Sequence, residues 1–328
     1  MLGGDYRRAR VFGLALGTGL LATQFLSSFH MINLDQNTYT RSELDLAGLV
    51  IGATLFGLGM SLVGTCGFGL ILRAGTGDIR ALLTGVVLGI AAAAATGGLL
   101  APLRLWLSRL LLIDRETLGW HKFETLLQSS VHITAESALS VLIGCGLLVA
   151  IFSSHRFRRR TNLIIGGLLL GISVAMGWLV TTRLGDPLGA HPVESLTFVA
   201  PLARLLQVAM GETFGQAAFA IGTVIGVAAG SFLVAMVRDD LRWEAFDDQR
   251  EMRRHLLGAG LMGFGGVLAK GCTIGQGLSA SSVLSVSAPI AIVCMIVGAR
   301  VGLYYLVEGH PLFGNRSRQK ARPASGNA

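Results

Sequence analysis

A chain of 328 residues that is 52% hydrophobic and only 14% charged, with a mean hydropathy of +0.62, lies far from the roughly 25% charged residues of a soluble domain. That balance excludes a soluble globular enzyme and makes the unit of organisation a membrane span of roughly 20 residues. The net charge of +8 would suit a nucleic-acid binder, but the arginines gather at Arg7 to Arg10, Arg156 to Arg160, Arg238 to Arg254 and Arg316 to Arg322. These are connecting segments and tails, the places that carry the positive-inside bias of cytoplasmic loops, so no nucleic-acid partner is expected.

In chain order, residues 10–29 form a first apolar span with arginines on one side and the polar stretch His30 to Glu43 on the other, which places the N-terminus in the cytoplasm. A second segment, Leu46 to Val63, returns inward and ends at the break Gly64-Thr65-Cys66-Gly67; Ala81 to Leu100 then crosses outward. From Pro102 the leucines are interrupted by Arg104, Arg109, Arg115 and Lys122 at intervals that suit a helix lying in the interface. Spans at Thr134 to Phe152 and Leu163 to Thr182 flank the arginine cluster, and Arg183 to Gly211, with Pro187, Pro192 and Pro201, is expected outside as loop plus a short helix. Gln216 to Val237 crosses inward, and the charged run RDDLRWEAFDDQREMRRH is expected as a solvated connecting helix. Leu256 to Ala269 enters the membrane up to Cys272, and Ala288 to Val307 completes about eight crossings with both ends cytoplasmic. The fold class expected is therefore all-α and integral to the membrane.

Within this pattern one stretch is repeated. Gly52 to Ala74, GATLFGLGMSLVGTCGFGLILRA, lies on Gly258 to Ala280, GAGLMGFGGVLAKGCTIGQGLSA, at a shift of 206 positions with ten of 23 residues identical, including Cys66 on Cys272. The two copies enter from opposite sides, so the chain reads as an inverted-topology repeat. Its first unit is 1–101, its second 206–310, with an inserted segment 102–205 carrying two spans and a disordered basic tail 311–328.

The glycines around both cysteines imply broken, re-entrant segments, which in hydrocarbon must be buried or line a polar cavity. Helix N-termini directed there offer partial positive charge and bare N–H groups to an anion, and a buried thiol adds an S–H donor on a polarizable sulfur. The candidate pathway is Cys66 and Cys272 with Thr65, Gly67, Gly271, Thr273, Gly275, Gln276 and Gly277. Lys270 and Arg300 are candidates for attracting the anion, although Lys270 could equally snorkel to the interface. Asp45 is a further intramembrane candidate. Taken singly each cysteine would be a core residue, as Cys145 and Cys294 are expected to be; the duplication in opposed copies sets Cys66 and Cys272 apart. No cysteine has a CxxC partner or a histidine at metal-ligand spacing and no Walker A motif is present, so neither metal nor cofactor is expected.

The segment MGFGGVLAKGCTIGQGLSA with its echo LFGLGMSLVGTCGFGLILRA resembles the YeeE/YedE sulfur-transport family of bacterial inner-membrane proteins. That resemblance implies uptake of thiosulfate through two facing cysteine loops, mapped here onto Cys66 and Cys272, by S–H hydrogen bonds to sulfur without covalent chemistry. Family members can carry a further pathway cysteine in the first span, and Val11 to Phe29 has none. Three other functions stay open. One is transport of another sulfur or selenium compound. A second is a membrane sulfurtransferase forming a persulfide on Cys272, which would need a nearby base that the sequence around the cysteines lacks. The third is a subunit that docks a cytoplasmic sulfur-handling protein on the Arg238 to His255 loop.

Overall fold

The structure is a computed structural model that describes residues 7–32, 39, 43–110, 112–114, 135–153, 155–158, 160–184, 193–211, 218–246 and 248–307. In these the chain runs through helices α1 (Arg7–Ser28), α2 (Leu46–Val63), α3 (Gly67–Gly75), α4 (Ile79–Thr96), α5 (Ala101–Arg109), α6 (Ala135–Phe152), α7 (His155–Arg158), α8 (Thr161–Leu184), α9 (Val199–Ala209), α10 (Ala218–Val237), α11 (Gln249–Leu268) and α12 (Ser287–Val307). A π-helical segment, Gly275–Ala280, sits between the last two. The only other regular structure among the described residues is a three-residue antiparallel ladder between β1 (Glu43–Asp45) and β2 (Leu112–Asp114).

Among the described residues six stretches are long and apolar enough to cross a membrane: Ala9–Ser28, Leu46–Gly75, Ile79–Thr96, Thr161–Arg183, Phe219–Val237 and Ser287–Val307. The remaining two of the eight expected crossings correspond to α6, apolar over Ser140–Phe152, and α11, whose first turns are charged. Exposed leucines, valines and isoleucines on α4, α6, α8, α10 and α12 give the apolar surface that a multi-pass membrane protein presents to lipid.

At the centre α2 packs against α11 and α12, and α4 packs against α11. Glycine sets these distances. A Cβ on Gly52 would lie 2.6 Å from the Ala269 nitrogen and 2.7 Å from the Gly265 carbonyl oxygen; one on Gly265 would lie 2.6 Å from the Gly52 carbonyl oxygen. Gly59 and Gly258 face each other's carbonyls in the same way, at 2.5 and 2.8 Å. Lipid offers no hydrophobic drive between helices, so close backbone contact of this kind is what holds them together. The pairing Gly52 with Gly265 and Gly59 with Gly258 makes α2 and α11 antiparallel. Each pair turns into the other when its members are exchanged through the 206-residue shift. The same exchange relates Gly57, against the Met295 carbonyl, to Gly263, against the Leu88 carbonyl, within one residue.

Around this centre α1 is covered by α6 and α8 from the segment between the copies, whereas α10 packs on α3 and α9. Asp45 caps the start of α2, its carboxylate accepting from the Gly48 N–H at 2.8 Å, which accounts for a buried acid at a span terminus.

Three expectations are corrected by the structure. The interfacial helix from Pro102 stops at Arg109, and residues 112–114 pair as β2 with β1; 115–134 lies outside the described residues, as does the 311–328 tail. The charged run after α10 is not a solvated helix over its first part. Residues 240–246 form a strap on the α3–α4 turn, with Arg242 N–H donating to the Thr76 carbonyl (3.2 Å), Ile79 N–H to the Glu244 carbonyl (3.0 Å) and Arg80 paired with Glu244 and Asp78; helix begins only at Gln249. Mixed charges in this run find fixed partners on that turn, Asp78 also binding Arg73 at 2.6 Å and Arg80 reaching Glu251. Third, Cys145 is exposed on α6 rather than in the core.

Substituting Gly52 with valine forces its methyls into the α11 backbone and is expected to cost about 2–3 kcal/mol, seen as a lower melting temperature of the purified protein in detergent. Gly226→Ala, where a Cβ meets nothing within 4 Å, is expected to stay within about 0.5 kcal/mol of the native protein.

Candidate functional site

Both cysteine turns are built alike. α2 ends at Val63, and Gly64 takes the left-handed conformation (φ 81°) with its N–H on the Met60 carbonyl; two residues on, Cys66 is the extended N-cap of α3. In the second copy α11 ends at Leu268, Lys270 is left-handed at φ 55°, and Cys272 immediately precedes a new helical start at Thr273. Lys270 thus occupies the position of Gly64, 206 residues on. Left-handed geometry costs a non-glycine residue about 1–2 kcal/mol, which the flanking bonds hold in place: Lys270 N–H on the Val267 carbonyl at 3.1 Å and Gly271 N–H on the Gly266 carbonyl at 2.9 Å. No continuous helix passes through either cysteine.

A helix broken in an apolar surround leaves carbonyls that need donors. Gln276 meets this need at the second turn. Its side-chain amide donates to the Ala269 carbonyl (2.7 Å) and accepts from Ser287 Oγ (3.2 Å), while its backbone N–H closes on the Cys272 carbonyl at 2.8 Å. The side chain is fully buried. It is the staple that holds the end of α11, the π segment and the start of α12 together, a use that already engages the amide which the sequence suggested for an anion.

Cys272 is fully buried and Cys66 half-buried, and the two thiols lie within electrostatic reach of one another. The Gly275 N–H points at Cys272 Sγ across 3.4 Å, and the backbone N–H groups of Ile274 and Phe198 reach the same sulfur. Two helix starts therefore converge on this sulfur, that of the π segment and that of α9, of which Phe198 is the N-cap. A thiol that accepts from backbone N–H groups can still donate its own proton.

Gly67 opens α3 close to Leu88 and Val199. Val199 also touches Gly266, so this one residue of α9 bridges the first turn and α11. Thr65 packs over Gly69, and Thr273 holds a buried hydroxyl that has no partner among the described residues. Gly271 and Gly275 leave room for Gln276, Thr197 and Tyr39, and Gly277 for the Phe12 ring of α1. Lys270 and Arg300 are both exposed, the first at the end of α11 and the second on the outer face of α12. Among the described residues no three histidine, cysteine or acidic side chains gather as a metal site, and the four cysteines are free thiols.

An outside loop and short helix at 183–211, as expected from the sequence, leaves out a whole wall of the candidate site. Residues 193–199 run into the protein interior, with Ser195, Thr197, Phe198 and Val199 buried, Leu196 accepting from Ser279 Oγ at 2.7 Å and the Phe198 ring stacked near Phe68 of α3. No spacing ties this segment to a cysteine more than 70 residues away. The nearest signal is the apolar run from Leu196 to Val199 ahead of Pro201, in a stretch otherwise reading as loop.

A profile of proteins described as sulphur transport matches residues 1–301. The chain belongs to the sulphur-transport family. Its relatives include two proteins named thiosulfate transporter TsuA. The one from Escherichia coli is 29% identical over 292 residues, 85% of this chain and 80% of the relative. That from Spirochaeta thermophila is 25% identical over 270 residues, 78% of this chain and 76% of the relative. Membership makes this multi-pass protein a transporter rather than an enzyme, and the matched region takes in both cysteine turns and the segment between them.

Gln276→Leu removes the donor from the Ala269 carbonyl and the side-chain acceptor from Ser287 Oγ. The expected loss is about 1–3 kcal/mol of stability, read as a lower melting temperature, whereas Lys270→Gly, which relieves the left-handed strain, is expected to raise it.

Proposed function

We propose that the chain is a permease that takes up a small sulfur-containing anion, thiosulfate, across a bacterial inner membrane by handing it between the thiols of Cys66 and Cys272 without forming a covalent bond. The observation that carries this reading is the convergence of backbone N–H groups on a buried Cys272 in electrostatic reach of Cys66, each cysteine standing at the start of a helix after a break. Helix N-termini lower the energy of an anion there. The S–H groups donate to its sulfur, a soft acceptor that a thiol meets at little desolvation cost. Thr65 and the unpartnered Thr273 hydroxyl add donors toward its oxygens, and Gly67, Gly271, Gly275 and Gly277 let backbone approach closely. Exposed Lys270 contributes long-range attraction, whereas Arg300 reaches the aqueous boundary from the outer face of α12.

The reciprocal glycine contacts support two units, 1–101 and 206–310, inserted in opposite senses around the segment 102–205, and the arginine clusters of the connecting segments support cytoplasmic termini. In that arrangement Cys66 is offered from one side and Cys272 from the other, and the substrate crosses a constriction one thiol pair long. The relatives named as thiosulfate transporters support the choice of substrate.

Radiolabelled thiosulfate uptake into cells expressing Cys66→Ala or Cys272→Ala checks this reading. Each variant is expected at native abundance with uptake reduced at least tenfold, and native uptake by both overturns the relay.

A further inference from the structure

Tyr39, in the α1–α2 connection, reaches the second cysteine turn. Its carbonyl accepts from Ser285 Oγ at 3.0 Å. Ser285 Oγ lies 2.9 Å from Ser287 Oγ, and Ser287 donates to the Gln276 side chain that staples the broken end of α11. The ring stands edge-on to Trp178, centroids 6.3 Å apart, and Trp178 is itself fully buried and fixed by its N–H on Ser282 Oγ at 3.0 Å. At its far end the phenol oxygen lies over Gly275: a Cβ there would sit 3.3 Å from it and 3.0 Å from Thr197 Oγ1. Gly275 is the residue whose N–H points at Cys272 Sγ.

The backbone and ring of Tyr39 are therefore each held, more than packing alone requires of a loop residue, and the hydroxyl is placed beside Gly275 and Thr197. Burial pushes the phenol far above its ordinary value, with Cys272 and Glu194 adding to the rise, so it stays a neutral O–H donor at physiological pH. Glu194 is not available to an anion as a bare charge, since both its oxygens are taken by Arg204 at 2.9 and 3.0 Å.

We propose that Tyr39 is a substrate-selecting residue: with Thr197 it presents hydroxyl donors to the oxygens of a sulfur oxyanion while Cys272 meets its sulfur, and its ring shields Cys272 on the side of the α1–α2 connection. This rests on the relay reading and extends it to an oxygen-recognising half of the site. A hydroxyl pair beside a thiol suits an anion carrying both oxygen and terminal sulfur and disfavours one lacking either.

Two variants of the full chain test it. Tyr39→Phe keeps the ring on Trp178 and removes only the hydroxyl, so a purely structural Tyr39 leaves thiosulfate uptake at the native level and overturns the donor role; the expected result is uptake lowered about tenfold at unchanged melting temperature. Tyr39→Ala is read separately, by the rate at which a small anionic methanethiosulfonate labels Cys272 in protein whose Cys66, Cys145 and Cys294 are alanine. A rise of at least tenfold over the same background with Tyr39, and slow labelling retained in Tyr39→Phe, is expected; an unchanged rate in Tyr39→Ala overturns the shielding. Labelling reports on Cys272 whether or not the thiols relay substrate, so a normally transporting Cys272→Ala would remove the relay without deciding the place of Tyr39.

Discussion

The close approach of α2 to α11, glycine against backbone carbonyl at two levels, is the contact on which the rest of the molecule depends. In lipid, helices gain nothing by hiding apolar side chains from one another, and backbone proximity with its dispersion contacts takes over. Because Gly52 meets Gly265 and Gly59 meets Gly258, the antiparallel register of the two helices is set, and with it the levels at which each must end. Both then break at equivalent residues. A side chain at any of the four glycines would separate the helices and move the cysteine turns apart.

Breaking a helix in an apolar surround exposes polar backbone, and each copy resolves this with different residues. In the first, Gly64 adopts the left-handed geometry freely. In the second, Lys270 is forced into it and Gln276 supplies the donor that the end of α11 lacks. The asymmetry gives the second turn a tighter, fully buried thiol ringed by N–H groups, and leaves the first half-open. In the proposed relay the two turns are unlike stations, a firm one at Cys272 and a looser one at Cys66.

Much of this was legible in the residues because the information was local. Apolar length gave the spans, ten identities in 23 gave the repeat, and the glycines flanking Cys66 and Cys272 gave the breaks. What escaped was decided by tertiary contact. Phe198 and Thr197 belong to the site because α9 starts beside Cys272, which no periodicity in 183–211 announces. The strap after α10 looked like a mixed-charge helix because its partners, Asp78 and Arg80, lie some 160 positions earlier. The leucine and arginine spacing after Pro102 continued a helical pattern past Arg109, where pairing with Glu43–Asp45 offered the backbone an alternative. In the sequence Lys270 is conspicuous as a charge, and in the fold its left-handed backbone is as informative as its ammonium group.

The proposed relay needs a sulfur anion held between two thiols, and an experimentally determined structure of the protein with thiosulfate tests that most directly. Anion density within hydrogen-bonding distance of Cys272 Sγ, its sulfur toward the thiols of Cys66 and Cys272 and its oxygens toward Tyr39, Thr197 or Thr273, is the predicted result. Thiosulfate density seated elsewhere, with the space between the cysteine turns closed by packed side chains, would contradict it.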